Sequence, residues 1–526
     1  MMAVADFQAA RAWGRERARW RDYYQRQMAD RLDWAVDYAR GSRPSELRAH
    51  LGSLLTLLRR ARSYPHLYPR MVALIAALHP WPLRWLRWEA WEREIRFAIR
   101  VYADLQHPQR QAEFQSHLAK LLFDTGRLDE ALTVGEAALA QARAHGAVKP
   151  LALAGCTVVQ TLLQYGCSDE ARCRLNALLA EVSAANATPR RERTLALARL
   201  HLQQLVFLRR DNRLDAAITQ ASQIVAQLRA LPETDEHLLA EACRDLSTMA
   251  WAAGHYPEAV REIQRAIQMF AELGDEFAEV DARGNLGLIY CTMTEFDRAE
   301  EEIRHLIMMA ERLHARWHIT YAVDYLAVIY LMRGELDRAA RTFDRAVDLV
   351  QSLGDLKSLH RIQSNRAVVW LYQGKYEAAI PDLAADFDFS EDQNLSGAVV
   401  MDCICLSLCY QGLGQEERAI RLAERAWEIA QRLGKPVFQA LALRCLAEHL
   451  PAQRFDLLER ALALAREAQR PLDEAACLLS LSGLTGDEKE RHRLWQQGVR
   501  ILARIGATAW LAGASPRNPP RIIILM

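Results

Sequence analysis

The hydrophobic and polar positions of this chain repeat with a period of 40 residues, and within each period the apolar residues follow a helical spacing. Leu326, Ile329 and Tyr330 recur at i, i+3 and i+4, which is the spacing of one face of an α-helix. After Gly334, a second stripe of the same kind begins at Leu336. Each period therefore predicts two amphipathic helices joined by a turn.

A glycine or its substitute marks each turn, and an alanine follows five residues later. The turn positions are Gly126, Gly166, Gly254, Thr294, Gly334, Gly374 and Gly414. Glycine suits the end of a helix because it adopts the left-handed conformation without a steric penalty. A fixed period in this range predicts a solenoid of stacked helix pairs, in which each repeat contacts only its neighbours.

One repeat shows the pattern most completely. Its diagnostic residues are Asn285, Leu286, Gly287, Tyr290, Phe296 and Ala299. They resemble the tetratricopeptide repeat in a 40-residue form, and the resemblance extends over roughly residues 86 to 480. Weaker copies at Leu86 and Asn212 bring the expected number to nine or ten helix pairs. The resemblance implies an all-α fold, a right-handed α-α superhelix with helical caps.

Three regions are expected along the chain. Residues 1–85 predict an N-terminal helical cap rich in tryptophan and arginine, and residues 86–485 predict the repeat array. Residues 486–526 predict a capping helix from Leu494 to Leu511 and an irregular tail from Pro516 to Met526. The segment from Trp20 to Trp91 also resembles the region that precedes the repeats in signal-transducing NTPases of the STAND class.

Composition is that of an ordinary folded protein, with 51% hydrophobic and 25% charged residues and a net charge of +1. Such a charge gives no steering toward nucleic acid or membranes, and neither is expected as a partner. The arginine-rich N-terminus lacks the apolar run of a signal peptide, so we expect a cytoplasmic protein whose ten cysteines are reduced.

Motifs for catalysis and cofactor binding do not occur in the sequence. It contains no G-x-x-x-x-G-K-[ST] phosphate loop, no G-x-S-x-G elbow and no H-E-x-x-H pair, so no enzyme activity and no cofactor are expected. No metal site is expected either. Cys403, Cys405 and Cys409 on one predicted helix, and His314 with His318, lack the four ligands of a structural zinc site.

A column of polar residues recurs nine positions before each turn, and a second column lies four positions earlier on the same face. The candidate ligand-binding residues in these columns are Asp245, Asp281, Asn285, Tyr321, Tyr325, Arg361 and Asn365. The resemblance implies that first helices line a concave groove, where asparagines hold the backbone or a carboxylate of a ligand and Arg361 adds a charged fork. The alternative is that these groups tie adjacent helices together.

The repeat after Gly374 departs from the pattern. Pro381 is expected to kink its second helix, and Asp386 stands where neighbouring repeats have alanine. The acidic segment from Asp382 to Asp392 predicts either a solvated irregular face or a docking or hinge surface.

Taken with the absent motifs, the repeats predict a scaffold that binds a peptide or protein segment. One alternative is a regulator that senses a small molecule or peptide, as the STAND resemblance implies. Another is an aspartyl-phosphate phosphatase of the tetratricopeptide type, for which Gln8, Gln25 and Gln27 are the glutamines available in the N-terminal region.

Overall fold

The computed structural model describes residues 2–79, 81–85, 88–211, 213–353, 355–392 and 395–522. The regular secondary structure of these residues is helical, and their one β-bridge joins Ser515 to Asn518. The predicted all-α architecture is confirmed. The predicted turn residues Leu86 and Asn212 lie outside the described residues.

The chain forms two compact units, Met1–Glu279 and Val280–Met526. The helices of the N-terminal unit are α1 (Met2–Gly41), α2 (Pro44–Ala61), α3 (Tyr68–Leu78), α4 (Trp81–Arg84), α5 (Trp88–Asp104), α6 (Pro108–Asp124), α7 (Leu128–Ala144), α8 (Val148–Gln164), α9 (Ser168–Ala184), α10 (Arg190–Arg210), α11 (Leu214–Arg229), α12 (Glu236–Ala252) and α13 (Tyr256–Glu272).

Helix α14 (Glu276–Thr292) begins in the N-terminal unit and continues into the C-terminal one. The remaining helices are α15 (Phe296–Arg312), α16 (Arg316–Arg333), α17 (Leu336–Gln351), α18 (Leu356–Tyr372), α19 (Tyr376–Asp392), α20 (Ser396–Gly412), α21 (Glu416–Leu433), α22 (Pro436–His449), α23 (Arg454–Glu467), α24 (Pro471–Leu484) and α25 (Glu488–Arg504). Short 3-10 turns cover Pro65–Leu67, Pro451–Gln453 and Thr508–Leu511.

From α6 onward, the helices alternate as first and second members of antiparallel pairs. Even-numbered helices are the first members and odd-numbered helices the second. In the C-terminal unit the first helices α16, α18, α20, α22 and α24 also pack side by side. We call the surface of α14, α16 and α18 the first-helix face, because it carries most of the candidate binding residues.

The turn positions adopt the predicted left-handed conformation. Gly334 has φ 84°, and Thr294, the non-glycine member of the set, has φ 58°. The amide of Glu335 donates to the carbonyl of Tyr330 at 2.9 Å, which closes the end of α16. The alanines five residues after the turns are fully buried, and these are Ala131, Ala171, Ala259, Ala299, Ala339, Ala379 and Ala419. Small residues therefore allow the two helices of a pair to approach closely.

The helices of the first 85 residues share a hydrophobic core with the first repeats. Leu32, Leu58, Leu74, Trp91 and Leu122 belong to one buried cluster of the N-terminal unit. The predicted boundaries at residues 85 and 485 stay predictions.

The C-terminal segment differs from its prediction. Helix α25 ends at Arg504, because Gly506 takes φ 71° and breaks the helix, and Thr508–Leu511 forms a 3-10 turn. The expected helix from Leu494 to Leu511 was therefore too long by two turns.

Trp510 brings this segment back onto a distant repeat. Its indole Nε1 donates to the carbonyl of Met332 at 3.0 Å, and its ring lies 4.8 Å from that of Tyr372. A Cβ atom at Gly334 would lie 2.9 Å from the Trp510 ring. The expectation that each repeat contacts only its neighbours is thus wrong for the C-terminal unit, because Trp510 and Met332 are 178 residues apart.

The tail after Trp510 lies against the ends of further first helices. A Cβ atom at Gly483 on α24 would lie 3.0 Å from Pro519. Arg521 forms a hydrogen bond with Gln411 on α20 and an ion pair of 3.2 Å with Glu448 on α22. The predicted irregular tail is therefore packed against its own unit as far as the described residues extend.

Candidate functional site

The candidate residues occupy four first helices. Asp245 lies on α12 in the N-terminal unit, and the other six lie on the first-helix face of the C-terminal unit. On that face α14 carries Asp281 and Asn285, α16 carries Tyr321 and Tyr325, and α18 carries Arg361 and Asn365. All seven side chains are half-buried. The structure therefore brings two candidate residues from each of three consecutive repeats onto one unit.

Arg361 connects two repeats through its charge. Its guanidinium pairs with Asp324, whose carboxylate is fully buried on α16, and lies 5.3 Å from the centre of the Tyr321 ring. Burial lowers the pKa of Arg361, but the Asp324 carboxylate more than offsets this and the pKa is raised overall. Arg361 is therefore held charged, and its buried Nη2 atom has no hydrogen-bond partner among the described residues.

Aromatic rings surround this ion pair. The ring centres of Trp317 and Tyr321 are 4.1 Å apart, and those of Tyr321 and Tyr325 are 5.8 Å apart. Ser358 donates to the Tyr321 hydroxyl at 3.4 Å. Burial, with the nearby carboxylates of Asp324 and Asp281, raises the pKa of Tyr325, so its phenol stays neutral. Tyr321 and Arg361 thus connect α16 to α18, as the alternative interpretation of the polar columns predicted.

The two asparagines behave differently. The side chains of Asn285 and Asn365 make no hydrogen bond to any residue that the structure describes, and the same holds for the Tyr325 hydroxyl. Half-buried amides normally pair with other polar groups, because an unpaired polar group loses its hydration without compensation. These three side chains therefore offer donors and acceptors that the protein itself does not use.

Asp281 lies at the other end of the face, close to a buried histidine. Burial lowers the pKa of His318 on α16, and the Asp281 carboxylate acts in the opposite direction. His318 is 7% exposed, whereas His314 sits exposed in the preceding turn with φ 54°. The two histidines, which have metal-compatible spacing in the sequence, therefore occupy different environments.

A pair of buried carboxyl groups, Asp386 and Asp402, lies beside the first-helix face, and the sequence indicated only Asp386. Asp386 on α19, where other repeats have alanine, interacts with Asp402 on α20, and Ser364 donates to Asp402 Oδ1 at 3.1 Å. Burial, together with the neighbouring Asp386 carboxylate, raises the pKa of Asp402 to about 8. The pair therefore keeps a proton at neutral pH.

The acidic segment that contains Asp386 is mostly paired. Asp382 forms an ion pair with Arg366 at 2.8 Å, and Glu391 pairs with Arg425. Helix α19 continues through Pro381 to Asp392 as one α-helix, with Pro381 on its exposed side. The departure from the repeat pattern at Asp386 is explained by its contact with the next repeat.

In the N-terminal unit, Asp245 accepts hydrogen bonds from the neighbouring Arg244 at 3.1 and 3.2 Å. One turn before Asp245, burial raises the pKa of Glu241, but the charges of His237 and Arg199 lower it by a larger amount. The pKa of Glu241 is therefore below its ordinary value. Arg199 on α10 pairs with Asp235 at the start of α12. Charged side chains therefore link these first helices as well.

Two further sets of candidate residues come from the sequence, three cysteines and three glutamines. Cys403, Cys405 and Cys409 are buried free thiols, and burial raises the pKa of each. Across the described part of the chain, no three His, Cys, Asp or Glu side chains are placed to hold a metal ion. Nor is any helix in that part of the chain long and apolar enough to cross a membrane.

The glutamines of the phosphatase alternative lie on α1. Gln25 is half-buried and Gln27 is exposed, and the side chain of Gln8 lies outside the described residues.

Comparison with known proteins bears on the fold. No protein-family model matches the chain, and no curated protein matches it. A crystal structure of a Rap protein complexed with competence and sporulation factor superposes with a TM-score of 0.52 at 11% identity, over 69% of this chain and 98% of that one. The apo form of RapI gives a TM-score of 0.49 at 13% identity, over 69% and 98% of the two chains.

Tetratricopeptide-like repeats of a putative kinesin light chain from Podosopora anserina are also similar, with a TM-score of 0.30 at 18% identity, over 38% of this chain and 99% of that one. The chain has the tetratricopeptide-like helical repeat fold, as predicted. The STAND resemblance of the N-terminal region stays a prediction.

Proposed function

We propose that the first-helix face of the C-terminal unit binds a peptide or protein segment, and that the protein acts as a non-catalytic interaction scaffold. The observation that carries the proposal is the unused hydrogen-bonding capacity of Asn285, Tyr325 and Asn365 on three consecutive first helices. The fold is compatible with this role, since the Rap protein described above was crystallised with competence and sporulation factor.

The chemistry of the face favours a peptide backbone as ligand. An asparagine side chain presents an N–H donor and a C=O acceptor, which match the C=O and N–H of an extended backbone. Asn285 and Asn365 are two repeats apart, so they would hold separate points of a bound segment. On the same helix as Asn365, Arg361 is charged and held in place by Asp324, so it would order the face beside the ligand.

The residues therefore fall into two groups with different roles. Arg361, Asp324 and Tyr321 hold α16 and α18 in register, whereas Asn285, Tyr325 and Asn365 would contact the ligand. Such pre-organisation reduces the entropy that binding costs. A sensing regulator and a phosphatase stay alternatives from the sequence, and no contact among the described residues favours either.

The double substitution of Asn285→Ala with Asn365→Ala tests the proposal. Peptides selected from a random library on the immobilised wild-type protein serve as probes, and their affinities are measured by calorimetry. We expect the double variant to lose about 2 kcal/mol of binding free energy, roughly thirtyfold in affinity, because each lost hydrogen bond contributes about 1 kcal/mol. The melting temperature should change little, because neither amide side chain forms a hydrogen bond with a residue that the structure describes.

Asn176→Ala is the matched control, since Asn176 is an exposed asparagine on the second helix α9. It should leave both affinity and stability unchanged. Unchanged peptide affinity in the double variant, combined with a lower melting temperature, would show that the asparagines stabilise the fold and do not contact the ligand.

A further inference from the structure

A cleft of about 1120 Å³ opens between α10 and α11 in the N-terminal unit, away from the residues proposed above. It coincides with the least regular repeat in the sequence, where the turns at Gly166 and Asn212 are 46 residues apart instead of 40. The additional residues lengthen the first helix, because α10 has 21 residues whereas α8 and α12 have 17 each. The cleft lies along this longer helix.

Positive charge collects at one end of this cleft. Arg190, Arg191 and Arg193 line it at the start of α10, and no carboxylate is among the lining residues. Arg193 donates to the neutral side chain of Asn186 at 2.9 Å, whereas Arg191 donates to the backbone carbonyl of Glu233 at 2.9 Å and also pairs with the carboxylate of that residue at 3.9 Å. Of these two guanidinium groups, that of Arg193 therefore bonds to neutral oxygens.

Arg190 stands out among these residues. Its backbone carbonyl accepts a hydrogen bond from the Thr194 hydroxyl at 2.9 Å, but its exposed side chain makes no ion pair or hydrogen bond within the described ranges. Arginines on the neighbouring helices are paired across repeats, as Arg143 is with Glu181 and Arg172 with Asp211. The first turn of α10 also contains one acidic residue, Glu192, so Arg190 and Arg193 give the start of this helix a net positive charge.

The rest of the cleft mixes apolar and neutral polar side chains. Leu197 on α10, with Ile224 and Leu231 on and after α11, supplies apolar surface, and Gln223 and Gln227 lie on the α11 side. Gln220 on α11 contacts His201 at 2.9 Å and Gln204 at 2.7 Å, both on α10, and so bridges the two helices. An occupant therefore meets arginines at one end and then a stretch of mixed apolar and neutral polar side chains.

We infer that this cleft binds a short apolar peptide segment through a carboxylate held by Arg190 and Arg193. From Arg190 to Gln204 the cleft follows α10 for about 21 Å, which an extended segment of about six residues would span. Guanidinium groups bind carboxylates strongly because they offer parallel N–H donors, and the apolar surface of the cleft favours hydrophobic side chains next to the acid. The carboxylate belongs either to an acidic side chain or to a free C-terminus.

Fluorescence anisotropy with three labelled peptides tests this inference. The first is a leucine- and alanine-rich peptide with two terminal glutamates and an amidated C-terminus, the second has glutamines in place of the glutamates, and the third has the glutamines and a free C-terminal carboxylate. We expect saturable binding of the first, the third or both, and at least tenfold weaker binding of the second. Which of the acidic peptides binds identifies the source of the carboxylate.

The charge-reversal pair Arg190→Glu with Arg193→Glu should weaken binding of the acidic peptide at least tenfold. The matched control is Arg209→Glu with Arg210→Glu, which makes the same charge change at the opposite end of α10 and should alter affinity less than twofold. If the first pair unfolds the protein, as circular dichroism would show, Arg190→Glu alone replaces it, because the exposed Arg190 side chain makes no hydrogen bond or ion pair with a described residue. Equal losses in both pairs, or equal binding of the glutamine peptide, would overturn the assignment. Failure here would leave the proposed role of the first-helix face intact, because the two sites share no residue.

Discussion

Replacement of Trp510 by alanine is expected to lower the free energy of unfolding of the C-terminal unit by about 3 to 5 kcal/mol, the usual cost of removing a buried large aromatic side chain. Trp510 is 8% exposed, although it lies beyond the last helix of the array. Its ring fills the space over Gly334 and beside Tyr372, so the smaller side chain would leave a cavity there. The indole N–H bond to Met332 would also be lost.

Denaturant unfolding of the full chain, followed by circular dichroism, measures this effect. Trp510→Phe separates the contribution of the buried ring from that of the indole hydrogen bond, because it keeps an aromatic ring but removes the N–H donor. We expect a loss of about 1 kcal/mol for the hydrogen bond, with a further loss for the smaller volume of the ring. Hydrogen exchange at the end of α16 should accelerate in the alanine variant. A loss below about 1 kcal/mol in Trp510→Ala would mean that the tail does not stabilise its unit.

The second large effect concerns pH and the buried acid Asp402. Its pKa of about 8 in the folded protein exceeds the ordinary value of 3.8, so the folded state binds a proton that the unfolded state has released. Stability from this group is therefore present at low pH and lost as the pH rises toward 8. Between pH 6.5 and 8.5 we expect the free energy of unfolding to fall by about 2 kcal/mol, with a slope of at most about 1.4 kcal/mol per pH unit.

The window is chosen to avoid the histidines. Burial lowers the pKa of His117 to about 3 and lowers that of His318, so their contributions to stability are lost as the pH falls below about 6.5. At pH 6.5 the histidines of the unfolded chain are still about half protonated, so their contribution rises slightly at the lower end of the window. Burial raises the pKa of Cys403, Cys405 and Cys409, and these thiols lower stability toward pH 8.5, so the contribution of Asp402 is measured as the difference between wild type and Asp402→Asn.

Asp402→Asn should remove the contribution of this group, about 2 kcal/mol between pH 6.5 and 8.5, because the amide has the shape of the carboxyl group but does not titrate. It can still accept the hydrogen bond from Ser364. The control Asp388→Asn removes an exposed carboxylate from the same α19 helix that carries Asp386, and should leave the slope as in the wild type. An identical pH dependence in wild type and Asp402→Asn would contradict a protonated pair.

Much of the fold could be predicted because the repeat places the same residue type at the same structural position. Ala339 and its equivalents are buried at every helix crossing, and Thr294 adopts positive φ although it is not a glycine. These features depend only on residues within one period. Local spacing is sufficient to predict them.

Contacts between repeats were less predictable. Asp324 does not belong to the polar columns, yet it is the buried partner of Arg361. This contact depends on how two neighbouring repeats pack, which the spacing within one repeat does not indicate. Asp386 attracted notice as a departure from alanine, but nothing in its own repeat indicates Asp402 as its partner. The 46-residue interval before Asn212 signalled an irregular repeat without showing that a cleft opens beside α10.

The contact between Trp510 and Met332 also changes how the C-terminal unit should come apart. A linear array of repeats frays from its free end, since the last repeat is held on one side only. Here Trp510, which lies beyond the last repeat, is hydrogen-bonded to Met332 on α16. Helices α24 and α25 therefore cannot separate from the array without breaking this contact with α16. The repeats from α16 to α25 form a closed ring of contacts and should open together, as one cooperative block.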